Sequence, residues 1–104
     1  MHKLVVLYPE PEDRTAFIEY YEKTHLPLAA QLPGLRSWRY STDISLDAQG
    51  NPAKYFAIFE AEFSDVEAFR VAMASPEGQA VAVDVPNYAT GGAITLDYEI
   101  TGGN

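Results

Sequence analysis

The hydrophobic positions near the start of the chain recur with the spacing of a helix. Steps of three and four residues connect Phe17, Tyr20, Tyr21, Thr24, His25 and Leu28, which together form one helical face. Charged side chains occupy the other face. Pro27 lacks an amide hydrogen and disfavours a helical conformation at the residue before it. We therefore predict a helix from about Asp13 that ends or kinks near His25, with the imidazole on the inward face.

Four stretches have the pattern of β-strands: residues 3–8, 35–46, 54–63 and 93–100. The first is apolar on both faces, and the other three alternate between apolar and polar positions. The link 47–52 is rich in turn residues, which predicts an antiparallel hairpin between the second and third strands. On the second strand, Trp38 and Tyr40 share one face.

A second helical region follows the third strand. Ser64 and Glu67 have the spacing of a capping box, which predicts a helix start at Ser64. Ser75 followed by Pro76 restarts the helix, because proline is favoured at a first helical position. This second piece is expected to stop at Pro86.

The predicted order β-α-β-β-α-β is that of a ferredoxin-like α+β fold, a four-stranded antiparallel sheet with its helices on one face. We expect residues 1–104 to form a single domain. The other sheet face would expose Trp38 and Tyr40 in an apolar patch larger than monomers usually show. Packing that face against a second copy would form a dimeric α+β barrel, so a homodimer is predicted.

Composition excludes several classes of function. The net charge is -8 and the basic residues are scattered, which disfavours a nucleic-acid partner. Cysteine is absent, no acidic or histidine cluster has ligand spacing, and no nucleotide-binding motif occurs, so neither metal nor cofactor is predicted. No apolar run reaches the roughly 18 to 20 residues that span a bilayer. A cytoplasmic protein without a membrane partner is expected.

Two ionisable residues fall at apolar positions. His25 is either a core histidine bonded to a carbonyl or a proton donor and acceptor in a pocket. Asp84 lies among alanines and valines and must find a partner if buried. It either caps the turn around Pro86 or orients His25. Without a serine or cysteine nucleophile nearby, a catalytic His25–Asp84 pair fits proton transfer better than acyl transfer.

Four aromatic side chains are expected to line the pocket and bind a small hydrophobic, aromatic or lactone-like molecule: Tyr21, Trp38, Tyr40 and Tyr55. The main hypothesis is a cofactor-independent small-molecule enzyme or accessory catabolic protein. Its rival is a binding module that carries a hydrophobic ligand or supports a monooxygenase. A third hypothesis gives both His25 and Asp84 a purely structural role.

Five motifs carry a family resemblance: Tyr8-Pro9, residues 17–21, His25-Leu26-Pro27-Leu28, Leu32-Pro33-Gly34-Leu35 and Asp84-Val85-Pro86-Asn87-Tyr88. Together they resemble the EthD family, named for a locus that degrades ethyl tert-butyl ether. The resemblance covers nearly the whole chain and implies a dimeric α+β barrel. Because the family accompanies cytochrome P450 systems of ether degradation, it also implies such a system as a candidate partner.

The chain is more distantly similar to methylmuconolactone methylisomerase, a cofactor-free barrel enzyme. That similarity implies a catalytic role for His25 and places the enzyme's catalytic tyrosine at Trp38. Since tryptophan cannot give up a proton, Tyr40 on the same strand face would have to substitute.

Overall fold

A computed structural model describes residues 1–104 as one sheet covered by helices. The strands are β1 (His2–Pro9), β2 (Ser37–Ser41), β3 (Tyr55–Phe63) and β4 (Ile94–Glu99). The helices are α1 (Arg14–Tyr20), α2 (Leu26–Ala29), α3 (Val66–Ala74) and α4 (Pro76–Asp84). A π-helical turn, Tyr21–His25, joins α1 to α2, and a 3-10 turn, Val85–Asn87, follows α4. No helix combines the length and apolar character that crossing a membrane requires.

The sheet has the strand order β2-β3-β1-β4, and all neighbouring strands are antiparallel. This is the ferredoxin-like α+β fold that the order of elements predicts. In the centre, β1 pairs with β3 from His2 opposite Phe63 to Pro9 opposite Tyr55, with a register irregularity between Tyr8 and Pro9. Because β1 is paired on both sides, it forms a fixed floor for whatever packs above it.

The face of the sheet under the helices carries the core. Along β1 the buried positions include Leu4 and Tyr8, and along β3 they include Phe59, Ala61 and Phe63. Phe17 and Tyr21 supply the largest fully buried side chains from the helical layer. Their rings lie 5.2 Å apart, as expected for positions four residues apart on one helical face.

The opposite, free face of the sheet differs from the expectation. In the register with β3, Trp38 lies opposite Ala61 and Tyr40 opposite Phe59, so both aromatic residues point to the helical side. The prediction that they lie on the free face is therefore wrong. That face instead carries charged residues, among them Lys3 bonded to Glu60. It also carries apolar residues from β1, β3 and β4: Val5, Leu7, Ile58, Ile94, Leu96 and Tyr98.

The expected kink at His25 takes the form of a π-helical turn. The amide of Leu26 donates to the carbonyl of Tyr21, five residues earlier, and the backbone stays helical through Ala29. Pro27 therefore lies in the first turn of α2, where its missing amide hydrogen is tolerated. The wider turn keeps both Tyr21 and His25 on the buried side.

The second helical region begins one residue later than predicted. Asp65, rather than Ser64, is the N-cap of α3, because its carboxylate accepts a hydrogen bond from the Ala68 amide at 2.8 Å. The restart at Ser75 is as predicted: its hydroxyl accepts from the Gly78 amide at 3.0 Å, and proline follows at the first helical position.

We predict that Gly78 tolerates no side chain. A Cβ built there would overlap the carbonyl oxygen of Ala72 and lie 2.6 Å from that of Met73. Although alanine gains about 1 kcal/mol in helix propensity, we expect Gly78→Ala to lower the free energy of unfolding by about 1 to 2 kcal/mol net. Urea denaturation measures the change.

The matched control is Gly102→Ala, since a Cβ at Gly102 meets no atom within 4 Å. Its free energy of unfolding should stay within about 0.5 kcal/mol of the original chain. A Gly78→Ala protein as stable as that control would contradict the close approach of α3 and α4.

Candidate functional site

His25 and Asp84 meet in the structure. The π-helical turn brings His25 to the inward side, and α4 ends at Asp84. Nδ1 of the imidazole lies 2.9 Å from Oδ2 of Asp84. Only 3% of His25 and 8% of Asp84 is exposed. The carboxylate is thus placed where it can orient the imidazole.

The second carboxylate oxygen of Asp84 is also bonded. The Tyr20 hydroxyl donates to Oδ1 at 2.6 Å, and the Asn87 side-chain amide donates to it at 3.0 Å. Burial raises the pKa of Asp84, but the hydrogen bonds from Tyr20, His25 and Asn87 together bring it below its ordinary value. Asp84 is therefore ionised at neutral pH.

The ionised carboxylate fixes the state of the imidazole. Because a carboxylate only accepts hydrogen bonds, Nδ1 of His25 must carry the proton that it shares with Asp84. Burial lowers the pKa of His25, and the opposing effect of Asp84 does not offset it. The imidazole is neutral at neutral pH, so Nε2 has an available lone pair, whereas the hydrogen bond to Asp84 is made through Nδ1. This is the arrangement of a general base.

Tyrosine rings surround the imidazole. Tyr21 stacks on His25 with ring centroids 5.6 Å apart, and the Tyr88 ring lies 4.5 Å away. The hydroxyls of Tyr8 and Tyr88 share a hydrogen bond of 2.7 Å, while the enclosed Tyr21 hydroxyl has no partner. Burial raises the pKa of Tyr8, Tyr21 and Tyr88, so all three hydroxyls stay protonated.

A cavity of about 330 Å³ lies between the sheet and the helices, with His25 in its wall. Eleven of its fourteen lining residues are hydrophobic, and none is a lysine or an arginine. The lining comprises Leu4, Val6, Tyr8, His25, Ala29, Leu32, Phe59, Met73, Gly78, Val81, Ala82, Val85, Ala93 and Thr95. Its volume is in the range of small-molecule binding sites.

Of the four aromatic residues predicted to line the pocket, only Tyr21 touches the His25 ring. Trp38 and Tyr40 belong to the edge strand β2, and the Tyr40 hydroxyl donates to Glu22 at 2.8 Å. Tyr55, at the start of β3, lies beside a separate surface depression near Arg14. None of Tyr21, Trp38, Tyr40 and Tyr55 is among the residues that line this cavity, and their role in ligand binding stays a prediction.

Four residues of the site were not predicted as such: Tyr8, Tyr20, Asn87 and Tyr88. Two had a signal in the sequence, since Tyr20 lies on the inward helical face and Asn87 follows Asp84 by three residues. The Tyr8–Tyr88 hydrogen bond joins positions 80 residues apart, and no local pattern predicts it.

Comparison with known proteins identifies the family. Residues 9–92 match the EthD domain. The chain belongs to the EthD family. A Rhodococcus erythropolis relative, described as an uncharacterized 11.0 kDa protein in the thcB-thcC intergenic region, is 38% identical over 96 residues, which are 92% of this EthD chain and 91% of the relative. The crystal structure of an EthD family protein from Bacillus halodurans C-125 is 34% identical with a TM-score of 0.88, covering 97% of this chain and 99% of that one.

More distant solved structures share the fold of this EthD protein. A dimeric ferredoxin-like protein of unknown function from Thermobifida fusca is 17% identical, with a TM-score of 0.70 over 95% of this chain and 90% of that one. The hydroxynitrile lyase of Passiflora edulis is 20% identical, with a TM-score of 0.75 over 96% and 93%. SnoaB, a cofactor-independent oxygenase from Streptomyces nogalater, is 16% identical, with a TM-score of 0.69 over 98% and 94%.

We predict that the buried His25 makes the fold less stable as the pH falls. Because its pKa in the folded chain is below the ordinary 6.5, the unfolded chain takes up a proton first. The free energy of unfolding should fall from about pH 7 downwards, with a slope from this residue of at most about 1.4 kcal/mol per pH unit. The depressed pKa of Asp84 works in the same direction, but only below its ordinary 3.8.

Urea denaturation at several pH values measures this slope, and His25→Gln should flatten it between about pH 7 and pH 5. His2 remains in both proteins, so the difference between the two slopes reports His25 alone. Identical slopes would show that the buried imidazole does not resist protonation.

Proposed function

We propose that this EthD protein is a cofactor-independent catabolic enzyme or accessory protein that transfers a proton of a small hydrophobic molecule through His25. One observation carries the proposal: a neutral imidazole lies in the wall of an apolar cavity, held at Nδ1 by a buried carboxylate and unprotonated at Nε2. A molecule in the cavity meets this nitrogen as its hydrogen-bonding and proton-accepting partner.

The proposed chemistry follows from the His25–Asp84 pair. Nε2 of His25 removes a proton from an acidic carbon or hydroxyl of the bound molecule, and the electron pair of the broken bond stays on the molecule. Asp84 stabilises the imidazolium that forms, through the Nδ1 hydrogen bond. Return of the same proton to a different atom isomerises the molecule without an external reactant. In this proposal His25 is the catalytic residue, and Asp84 positions it.

The comparisons support this class of function in general terms. The distant structures named as a hydroxynitrile lyase and a cofactor-independent oxygenase are small-molecule enzymes built on this fold. The EthD family, through its resemblance to ether-degradation proteins, favours a catabolic setting. A cytochrome P450 system as partner stays a prediction.

We expect the protein to accelerate hydrogen exchange at the acidic carbon of β-tetralone, an uncharged ketone small enough for the cavity. In deuterated water, proton NMR follows the loss of the α-proton signal. Because general-base catalysis contributes about 100-fold to 10,000-fold, His25→Gln should remove nearly all acceleration above buffer. Asp84→Asn should lower it by at least about tenfold, because an amide permits the wrong imidazole tautomer.

The matched control is Asp97→Asn, which removes a carboxylate bonded to His2 at 2.7 Å and outside the cavity. This variant should exchange at the original rate. Exchange that is unaffected by His25→Gln would refute the proposed catalytic role.

A second function, ligand binding without turnover, is favoured by the hydrophobic character of the lining. A carrier or monooxygenase-accessory module needs the cavity but no proton transfer. In that case β-tetralone would bind to the original chain and to His25→Gln alike, and neither would accelerate exchange.

We also propose that the protein is a homodimer joined through the free face of the sheet. Ile94, Leu96 and Tyr98 on that face are each between 42% and 53% exposed, and Val5 and Leu7 on β1 continue the apolar strip. Apolar strips of this kind are typical of contacts between subunits. The dimeric Thermobifida protein with the same fold supports this arrangement.

We predict that Leu96→Glu converts the dimer to a monomer, because it would bury two charges against an apolar surface. Sedimentation velocity at about 10 µM, in the concentration range where interfaces of standard size persist, measures the change. Val83→Glu is the control: Val83 on α4 is 76% exposed, and this variant should sediment as the original chain. A Leu96→Glu protein that remains dimeric would place the interface elsewhere.

A further inference from the structure

The cavity has polar groups at only a few points. Leu4, Val6 and Tyr8 alternate along its floor on β1 and span roughly 13 Å at the rise of a strand. Tyr8 is the last residue of this row. The Tyr88 ring contacts both Tyr8 and the imidazole of His25. Thr95 contributes a hydroxyl from the exposed strand β4. Tyr8 is thus the only buried lining residue other than His25 with a polar side chain.

The Tyr8 hydroxyl is held in place by Tyr88. Their oxygens are 2.7 Å apart, and the Tyr88 ring is 4.5 Å from the His25 ring. Tyr88 does not line the cavity and Tyr8 does. When Tyr88 donates to the oxygen of Tyr8, the hydrogen of Tyr8 is left to donate to a molecule in the cavity. The pair therefore supplies a hydrogen-bond donor in the same cavity wall that contains the acceptor, the unprotonated Nε2 of His25.

The charges around the cavity exclude anions. The lining contains no lysine or arginine, and the ionised Asp84 carboxylate is bonded to His25 in its wall. A carboxylate or phosphate would lose its hydration against an apolar wall without a cationic partner, which is unfavourable. The chain as a whole has a net charge of -8. An uncharged molecule with an oxygen acceptor suits both the apolar lining and the polar end of the cavity at Tyr8 and His25.

We propose that Tyr8 is the oxygen-binding residue of the cavity and that the substrate is an uncharged carbonyl compound, a ketone, ester or lactone. The carbonyl oxygen accepts from Tyr8, and the apolar body extends along β1 towards Leu4. This inference rests on the proposed function in using the same cavity. As Nε2 of His25 removes the proton from the carbon beside the carbonyl, the electron pair moves to the carbonyl oxygen, where the Tyr8 hydroxyl stabilises the charge. The proton then returns from His25 to a carbon of the enolate, as the electron pair moves back from the oxygen to form the new carbon–hydrogen bond.

Equilibrium binding tests this assignment separately from catalysis. The probes are β-tetralone, the hydrocarbon tetralin with the same ring system, and tetralin carboxylate, with isothermal titration as the measurement. The original chain should bind the ketone about five- to tenfold more tightly than the hydrocarbon, as expected for one net hydrogen bond, and should not bind the carboxylate detectably. Tyr8→Phe should abolish the preference and leave tetralin affinity within about twofold, which shows that the cavity is intact.

Two variants serve as controls. Tyr40→Phe removes a hydroxyl that is bonded to Glu22 outside the cavity, and should keep the full preference for the ketone. His25→Gln should also keep a preference for the ketone over tetralin. The contrary result is a His25→Gln protein that still catalyses hydrogen exchange of β-tetralone at the original rate while the Tyr8-dependent preference for the ketone over tetralin is present. That result would overturn the proposed function and leave this inference standing.

The carbonyl stretch of bound β-tetralone gives a reading from the original chain, independent of whether Tyr8→Phe folds. A hydrogen bond from Tyr8 should shift the infrared band to lower frequency than in a hydrocarbon solvent. An unshifted band, equal affinity for ketone and hydrocarbon, tight binding of the carboxylate, or no binding of the ketone would each overturn the assignment.

Discussion

The buried carboxylate of Asp84 is the contact on which the site depends. An isolated ionised group at this depth would be strongly destabilising, but Tyr20, His25 and Asn87 all donate to it. These donors belong to α1, the π-helical turn and the 3-10 turn after α4. One carboxylate thus fixes three segments relative to one another. It also links α1 to the end of α4 through the hydrogen bond from Tyr20.

The same contact determines the chemistry of the imidazole. Asp84 uses Nδ1 of His25 for a hydrogen bond that the fold needs, and this leaves Nε2 as the nitrogen that can serve a ligand. Structural and catalytic roles are therefore compatible in this pair, since each uses a different ring nitrogen. Burial and the carboxylate have opposite effects on the pKa of His25, and burial is the larger. The result is an imidazole that is uncharged at neutral pH.

Local patterns were sufficient for the order of the elements and for the inward position of His25. The helical spacing placed Tyr21 and His25 on the buried face, and the apolar surroundings of Asp84 indicated that it needs a partner. Alternation along β2 showed that Trp38 and Tyr40 share a face, but not which face the helices cover. That choice depends on the register with β3, and a shift by one residue reverses it. Tyr8 and Tyr88 were beyond local reasoning, since only the folded chain brings them together.

An apolar cavity of about 330 Å³ is unusual in a domain of this size, because interiors are close-packed and unfilled volume lowers stability. Collapse is opposed from both sides. On one side of the cavity, β1 is hydrogen-bonded to two neighbouring strands. On the other side, α4 is bonded to His25 through Asp84 and packs closely against α3 at Gly78. Small residues on the helical side of the cavity, Ala29 and Ala82 among them, leave space that larger side chains would fill. Retention of such a volume next to His25 and Tyr8 favours a ligand as its reason, because packing alone would have selected larger side chains there.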